Sequence, residues 1–351
     1  MTWVGYIGEI VTFEREEKVS PVLAIGLSTV VLYRTYPTSE KNMPRVSVII
    51  PTYNHAAFIC ESLESVFAQT FEDFEVIVVN DGSSDDTEEV LKSYIAAKKI
   101  TYLFQENKGS AAARNAGLAM ATGEWLAFLD DDDLWPADKL AWQVAFLEQT
   151  NAVMVGGHCA RHTARDDLDQ NRGDGAQRSL KISDFFNGNP FTSPGQTLIR
   201  RSALLECHGF DVTVWGGDDL DLWMRLSHVG DVVRVNHISL WYRIHGSNAS
   251  SDLTKMICNL ERVFIKNLAF VPADQRSEAL KTGYRFLFRY AGKKLIWQGF
   301  KKIVQGCFTE GWKMSCFSFS IFFTRSKDDP VLLSSLVFAC LKAPWKVGRA
   351  R

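Results

Sequence analysis

No apolar run in this sequence reaches the roughly 18–20 residues that a helix needs to cross a bilayer. The longest candidates, residues 21–33, 316–323 and 331–341, are all shorter than that. The first follows the acidic stretch Glu14-Arg15-Glu16-Glu17-Lys18 and precedes no small-x-small cleavage site. It therefore reads as a short buried strand or helix, not as a secretory leader. The seven cysteines are odd in number and scattered, and no two have C-x-x-C spacing. That excludes the common zinc and redox motifs and predicts reduced thiols in a cytoplasmic protein. Neither G-x-G-x-x-G nor G-x-x-x-x-G-K-[ST] occurs, which argues against a dinucleotide fingerprint and a P-loop. A net charge of -2 carries no polyanion-binding signal, so no nucleic-acid partner is expected. No internal repeat is visible.

What is present is an ordinary folded composition, 46% hydrophobic and 23% charged. Its charge is unevenly spread. Residues 253–351 hold 18 Lys and Arg against 6 Asp and Glu, and the rest of the chain is correspondingly acidic. An acidic body calls for cations, and a basic tail meets anionic surfaces. Residues 1–43 form an extension ending in the polar linker 38–42. Residues 44–160 alternate between short β-branched runs (46–50, 76–79, 100–104, 125–129 and 152–155) and helical stripes. Ile59, Leu63, Val66 and Phe67 form one stripe, and Val90, Leu91, Tyr94 and Ile95 a second; the Ala-rich segment 109–121 is a third helix. This order predicts an α/β fold with a mainly parallel sheet. Residues 161–179 are polar and read as a mobile loop. Residues 180–252 are mixed and aromatic-rich, and the pattern beyond 253 is mainly helical and basic.

Parallel sheets bind ligands beyond the carboxyl ends of their strands. Here those ends carry Pro51-Thr52-Tyr53-Asn54, Asn80-Asp81-Gly82-Ser83, the segment 105–109 and Asp130-Asp131-Asp132-Asp133. Four consecutive carboxylates repel one another and call for a hard divalent cation with phosphate ligands. The bland alternative, a cap for a helix starting near Pro136, needs one aspartate and not four. Asp81 is placed to accept hydrogen bonds from a base or ribose, while Ser84, Asp85 and Asp86 serve as turn and helix cap. Arg114, on a helix opened by Gly109, offers a phosphate-seeking fork; a plain buried helix is the equal alternative. Gly216-Gly217-Asp218-Asp219 begins another helix, where the acids either cap the dipole or supply a general base. His245, in Tyr242-Arg243-Ile244-His245, gains meaning only beside an acidic cation site.

Taken in order, these segments resemble the family-2 inverting glycosyltransferases with the GT-A fold. The resemblance runs from Pro44 to about Ser250. It implies a Rossmann-like, mostly parallel sheet flanked by helices, followed by a mainly helical extension. It divides the chain into an extension (1–43), a glycosyltransferase domain (44–252) and a basic helical region (253–351). It implies that Pro51, Thr52 and Tyr53 line a uracil pocket and that Asp81 binds the base. Asp130 or Asp131 reaches ribose or metal-bound water, Asp132 binds Mn²⁺ or Mg²⁺, and His245 completes the metal or diphosphate site. Gly195 sits near the donor sugar. Asp219 matches the family's base, in a motif usually written Glu-Asp whose Glu place holds Asp218. The implied partners are a UDP-sugar donor and a glycan or lipid-linked acceptor, in surface-polysaccharide assembly. The enzyme is expected in the cytoplasm, at the inner face of the cell membrane if residues 253–351 contact it. A helical cap is the equal alternative for those residues. The rivals are a non-catalytic sugar-nucleotide-binding scaffold and a sugar nucleotidyltransferase. The first conflicts with the intact set Asp81, Asp132, Asp219 and His245. The second normally has a Gly-rich basic loop where Tyr53-Asn54-His55 stands.

Overall fold

The computed structural model describes residues 3–5, 30–33, 43–163, 173–245, 253–287 and 289–290. The chain divides into two compact units. The first comprises Met1–Lys181, Pro190–Thr213 and Leu222–Ser247; the second comprises Ile182–Asn189, Val214–Asp221 and Asn248–Arg351.

The first unit is built on one sheet. Its strands are β1 (Trp3–Gly5), β2 (Val30–Tyr33), β3 (Val46–Thr52), β4 (Phe74–Asn80), β5 (Thr101–Phe104), β6 (Trp125–Phe128), β7 (Met154–His162), β8 (Gln177–Leu180), β9 (Thr197–Arg200) and β10 (Val232–Arg243). They lie in the order β1-β2-β5-β4-β3-β6-β9-β7-β10-β8. The block β5-β4-β3-β6 is parallel, as the alternation of short apolar runs and helices predicts. Strand β9 runs antiparallel between β6 and β7, so the complete sheet is mixed. Every residue of β3 is buried, which is why its sequence is nearly continuous apolar and not alternating.

Helices α1 (Ile59–Phe67), α2 (Thr87–Ala96), α3 (Ser110–Met120) and α4 (Lys139–Gln149) connect these strands, and α6 (Arg201–Glu206), numbered in chain order, follows β9. Ile59, Leu63 and Val66 of α1 are fully buried and Phe67 packs on the same core, so the predicted stripe is the packed face. Each such side chain contributes about 1.5–3 kcal/mol of burial. Helix α3 lies close on β3 because residue 117 is glycine. A Cβ there would stand 2.4 Å from Ile49 Cγ2.

Two expectations are corrected. Strand β7 starts at Met154 and runs to His162, pairing with β10 along its length, and β8 forms at Gln177–Leu180. The polar stretch 161–179 is therefore partly strand, because ladder bonds from a long partner outweigh local polarity. Residues 164–172 lie outside the described residues. Helix α4 begins at Lys139, and the side chain of Asp133 accepts instead from Arg243 N at 2.9 Å. The cap reading of the acidic run thus fails at Asp133.

The second unit contains α5 (Ile182–Phe186), the first turn of α7 (Asp218–Val229), α8 (Leu253–Asn267) and α9 (Arg276–Leu287). Phe264 stacks on Phe186 with ring centroids 5.2 Å apart, and Gly283 lets α9 approach that ring. Glu261 accepts from Tyr284 Oη at 2.8 Å. The apolar segments 312–323 and 331–341 lie outside the described residues. Among the described residues, no helix is long and apolar enough to cross a membrane. Cys60, Cys159, Cys207 and Cys258 are free thiols.

Candidate active site

The sheet brings the ends of β3, β4 and β6 side by side, and hydrogen bonds then tie their loops together. Asp81 N donates to Thr52 O at 2.8 Å, joining the ends of β3 and β4. Pro51 and Thr52 are buried, whereas Tyr53 is 47% exposed and presents its ring as an open platform. Asn54 stands at φ 55, and its side-chain oxygen accepts from Ser84 N at 2.7 Å. Asp85 accepts from Ala56 N at 3.0 Å and from Thr87 N at 3.1 Å. The loop after β4 therefore both starts α2 and pins the loop after β3.

The four consecutive aspartates face different partners. Asp130 accepts from Arg114 Nη2 at 2.7 Å and from Ser193 Oγ at 2.8 Å. Asp131 accepts from Tyr53 N at 3.2 Å and pairs with His55 Nδ1 at 2.7 Å. Asp132 pairs with His245 Nε2 at 2.9 Å. Asp133 is fully buried and receives the Arg243 backbone. Burial, followed by repulsion from Asp130 and Asp131, raises the Asp132 carboxyl above its ordinary range. Burial drives Asp133 well above it, which favours the neutral acid there. The bond to Asp131 raises His55. The rings of His55 and His245 lie 5.8 Å apart, and His245 also packs on Phe58 at 4.9 Å.

Asp81 is buried and already accepts three hydrogen bonds. They come from Gln105 Nε2 at 2.6 Å, Lys108 N at 2.9 Å and Gly109 N at 2.8 Å. Three of the about four acceptor sites of this carboxylate are thus engaged, and Asp81 shapes the loop after β5. Arg114 is likewise committed to Asp130, with its guanidinium 5.3 Å over the Phe210 ring. Gly195 is buried. Its N–H donates to Ser193 Oγ at 3.0 Å and its carbonyl accepts from Trp135 Nε1 at 2.8 Å. Ser193 therefore links the Gly195 turn to Asp130.

Three residues of this network carry no role in the sequence reading. They are His55, Ser193 and Arg243, whose Nε donates to Asp132 O at 2.8 Å and Nη2 to Glu61 at 2.7 Å. Arg243 lies within a recognised segment and His55 directly follows one, each two residues from a predicted ligand. Ser193 has no local signal beyond its neighbours Pro194 and Gly195.

Asp219 belongs to the second unit. Its Oδ2 accepts from Asn189 Nδ2 at 2.8 Å, and its Oδ1 from Leu220 N at 2.7 Å. Both Asp218 and Asp219 fall in the first turn of α7. The helix dipole favours carboxylates there.

The donor chemistry at Asp132 and His245 fits a divalent cation. A carboxylate and an imidazole stand 2.9 Å apart, in a site where the neighbouring carboxylates Asp130 and Asp131 favour added positive charge. Among the described residues no three His, Cys, Asp or Glu side chains gather as a cage. A cation held by Asp132 and His245 would need further ligands from outside these side chains, as Mg²⁺ commonly draws from phosphate and water. Thr52 Oγ1, buried at the end of β3, makes no hydrogen bond among the described residues, which leaves it a polar partner to offer a ligand.

Comparison with known proteins shows the family and the fold. The sequence model of glycosyl transferase family 2 matches residues 47–207. An uncharacterized glycosyltransferase of Rickettsia typhi is 31% identical over 237 residues, covering 64% of this chain and 73% of that protein. One from Rickettsia bellii is 35% identical over 213 residues, covering 59% of this chain but only 30% of the relative. The chain thus spans less than half the length of some of its relatives. The crystal structure of Staphylococcus aureus TarS 1–349 in complex with UDP-GlcNAc superposes with a TM-score of 0.63 at 19% identity, covering 84% of each chain. The mannosyltransferase PcManGT of Pyrobaculum calidifontis, in complex with GDP-Man and Mn²⁺, gives 0.55 at 22% identity, covering 86% of this chain and 82% of that one. The fold is the GT-A fold, and the chain belongs to glycosyl transferase family 2.

Proposed function

We propose that this chain is a metal-dependent, inverting glycosyltransferase that moves a sugar from a UDP-sugar to an acceptor hydroxyl. The observation that carries the reading is the acidic run at the end of β6. Three of its carboxylates turn to three separate partners, Arg114 with Ser193, His55 with Tyr53, and His245. Tyr53 offers a face for a nucleobase, and Asp81 shapes the loop beside it. Asp132 and His245 hold the cation, which when bound neutralises charge on a departing diphosphate. Asp219 takes the proton from the acceptor hydroxyl as that oxygen attacks the anomeric carbon, so one displacement inverts the configuration. The role of Asp219 rests on the family motif. The complexes of TarS with UDP-GlcNAc and of PcManGT with GDP-Man and Mn²⁺ support the donor class and the metal. The acceptor is a glycan or lipid-linked hydroxyl, and the basic residues of 253–351 bring the enzyme to an anionic membrane surface.

The test is incubation of the purified full chain with Mn²⁺ and a panel of UDP-GlcNAc, UDP-glucose and GDP-mannose. Released nucleoside diphosphate is then measured. Mn²⁺-dependent release from a UDP-sugar is expected. No release from any donor, with calorimetry showing no UDP binding, overturns the reading.

A further inference from the structure

The candidate base is held by two residues' worth of structure that the sequence places far apart. Asn189 Nδ2 donates to Asp219 Oδ2 at 2.8 Å, across 30 residues of chain. Each partner of that bond is seated by a different C-terminal helix. On one side, Gly188 adopts φ 149, a conformation that side chains resist, and a Cβ there would stand 3.3 Å from Phe286 of α9. Arg289, just past α9, donates to Asn187 Oδ1 at 2.7 Å. On the other side, the fully buried Asp221, two residues beyond Asp219, pairs with Lys266 at 3.0 Å and accepts from Asn267 at 2.9 Å, both on α8. Asn259 of α8 also donates to Trp215 O at 2.7 Å, just before the turn. A buried carboxylate held by a cation and an amide is costly to disturb, so this end of α7 has one preferred placement.

We propose that Asn189 is a positioning residue for Asp219, and that α8 and α9 act as the jig that holds the two together. The amide occupies one carboxylate oxygen and, with Leu220 N on the other, fixes the rotation of the group. This rests on Asp219 being the base. The C-terminal helices thereby gain a catalytic purpose that needs no membrane. Other charged groups at this turn are Asp218, Asp221 and Lys266.

The experiment uses the full chain, Asn189→Ala, the isosteric Asn189→Asp and Asp219→Asn. The carboxyl titration of Asp219 is followed by ¹³C NMR of labelled aspartates, its resonance being the one missing in Asp219→Asn. Losing a donor to the charged form raises the Asp219 midpoint by about one unit, and Asn189→Asp, which adds a second carboxylate, raises it further. Turnover of UDP-GlcNAc with Mn²⁺ and water as acceptor falls up to about a hundredfold in Asn189→Ala, with the donor KM unchanged, because a base misplaced by about 1 Å loses that much. Thermal melts confirm that the variants fold; Asn189→Asp keeps the shape should Asn189→Ala not. An Asp219 midpoint that stays at the wild-type value in the folded variants overturns the proposal. If Asp219→Asn keeps full turnover, it is the base assignment that falls, while the titration still reports on the Asn189 contact.

Discussion

At the carboxyl edge of β3, β4 and β6 the aspartates are held by loops that the parallel sheet places next to one another. In the first turn of α7 they are held by helices that follow some 45 residues later, as in the pair of Asp221 with Asn267. In the first region a strand end supplies the carboxylate, and for Asp131 and Asp81 the loop of the neighbouring strand supplies the partner. In the second region nothing in the local chain dictates the partner, and the buried Asp221 links the turn to α8. The first region thus follows from sheet topology, and the second depends on helix packing. Changes at the first are expected to alter ligand binding, and changes at the second to alter turnover.

The sharpest way to break this contrast is Asp219→Asn. It is expected to lower turnover by about 10²–10⁴ while UDP binding, read by calorimetry, stays near wild type. If Asp218→Asn is the inactive variant and Asp219→Asn stays active, the roles within the pair are exchanged. Next in size is Asp132→Ala, which is expected to weaken Mn²⁺-dependent UDP binding by more than the about 10–100-fold typical of residues that merely support a ligand. Unchanged metal dependence removes Asp132 from the site. Gly117→Ala tests whether the close seating of α3 on β3 matters. The added methyl group has no room beside Ile49, and a loss of about 1–3 kcal/mol is expected in denaturant titration. An unaltered midpoint shows that the helix can shift freely. The smallest effect concerns residues 253–351, whose positive balance is worth about 1 kcal/mol per basic residue near an anionic surface. Full-length protein is expected to float with anionic vesicles, less so at high salt. Flotation absent at low salt leaves these helices with the positioning role alone.

Much of the first region is legible in the sequence. The runs 46–50 and 125–129 become β3 and β6 because a strand buried on both faces must be apolar throughout, and few other patterns look like that. The acidic run after β6 is legible because four adjacent carboxylates have no purpose in an ordinary turn. The partners are not legible. His245 meets Asp132 across 113 residues and Ser193 meets Asp130 across 63, and neither distance leaves a periodicity to read. Arg114 illustrates the limit well. Its place on a glycine-opened helix invites a phosphate, yet the fold turns it onto Asp130. Asp81 shows the same limit, since the strand end alone does not reveal the three donors that bond to it.

By itself, then, the sequence determined the strand–helix alternation, the edge at which the acids collect and the family to which the chain belongs. These depend on local pattern and on the rule that parallel strands all end on one side. The tertiary structure alone decided which carboxylate faces which partner, that β9 enters antiparallel, that β7 runs on to His162, and that Asn189 reaches Asp219. Each of these is a contact between segments far apart in the chain. Its energy comes from burial and hydrogen bonding that exist only once the segments have met.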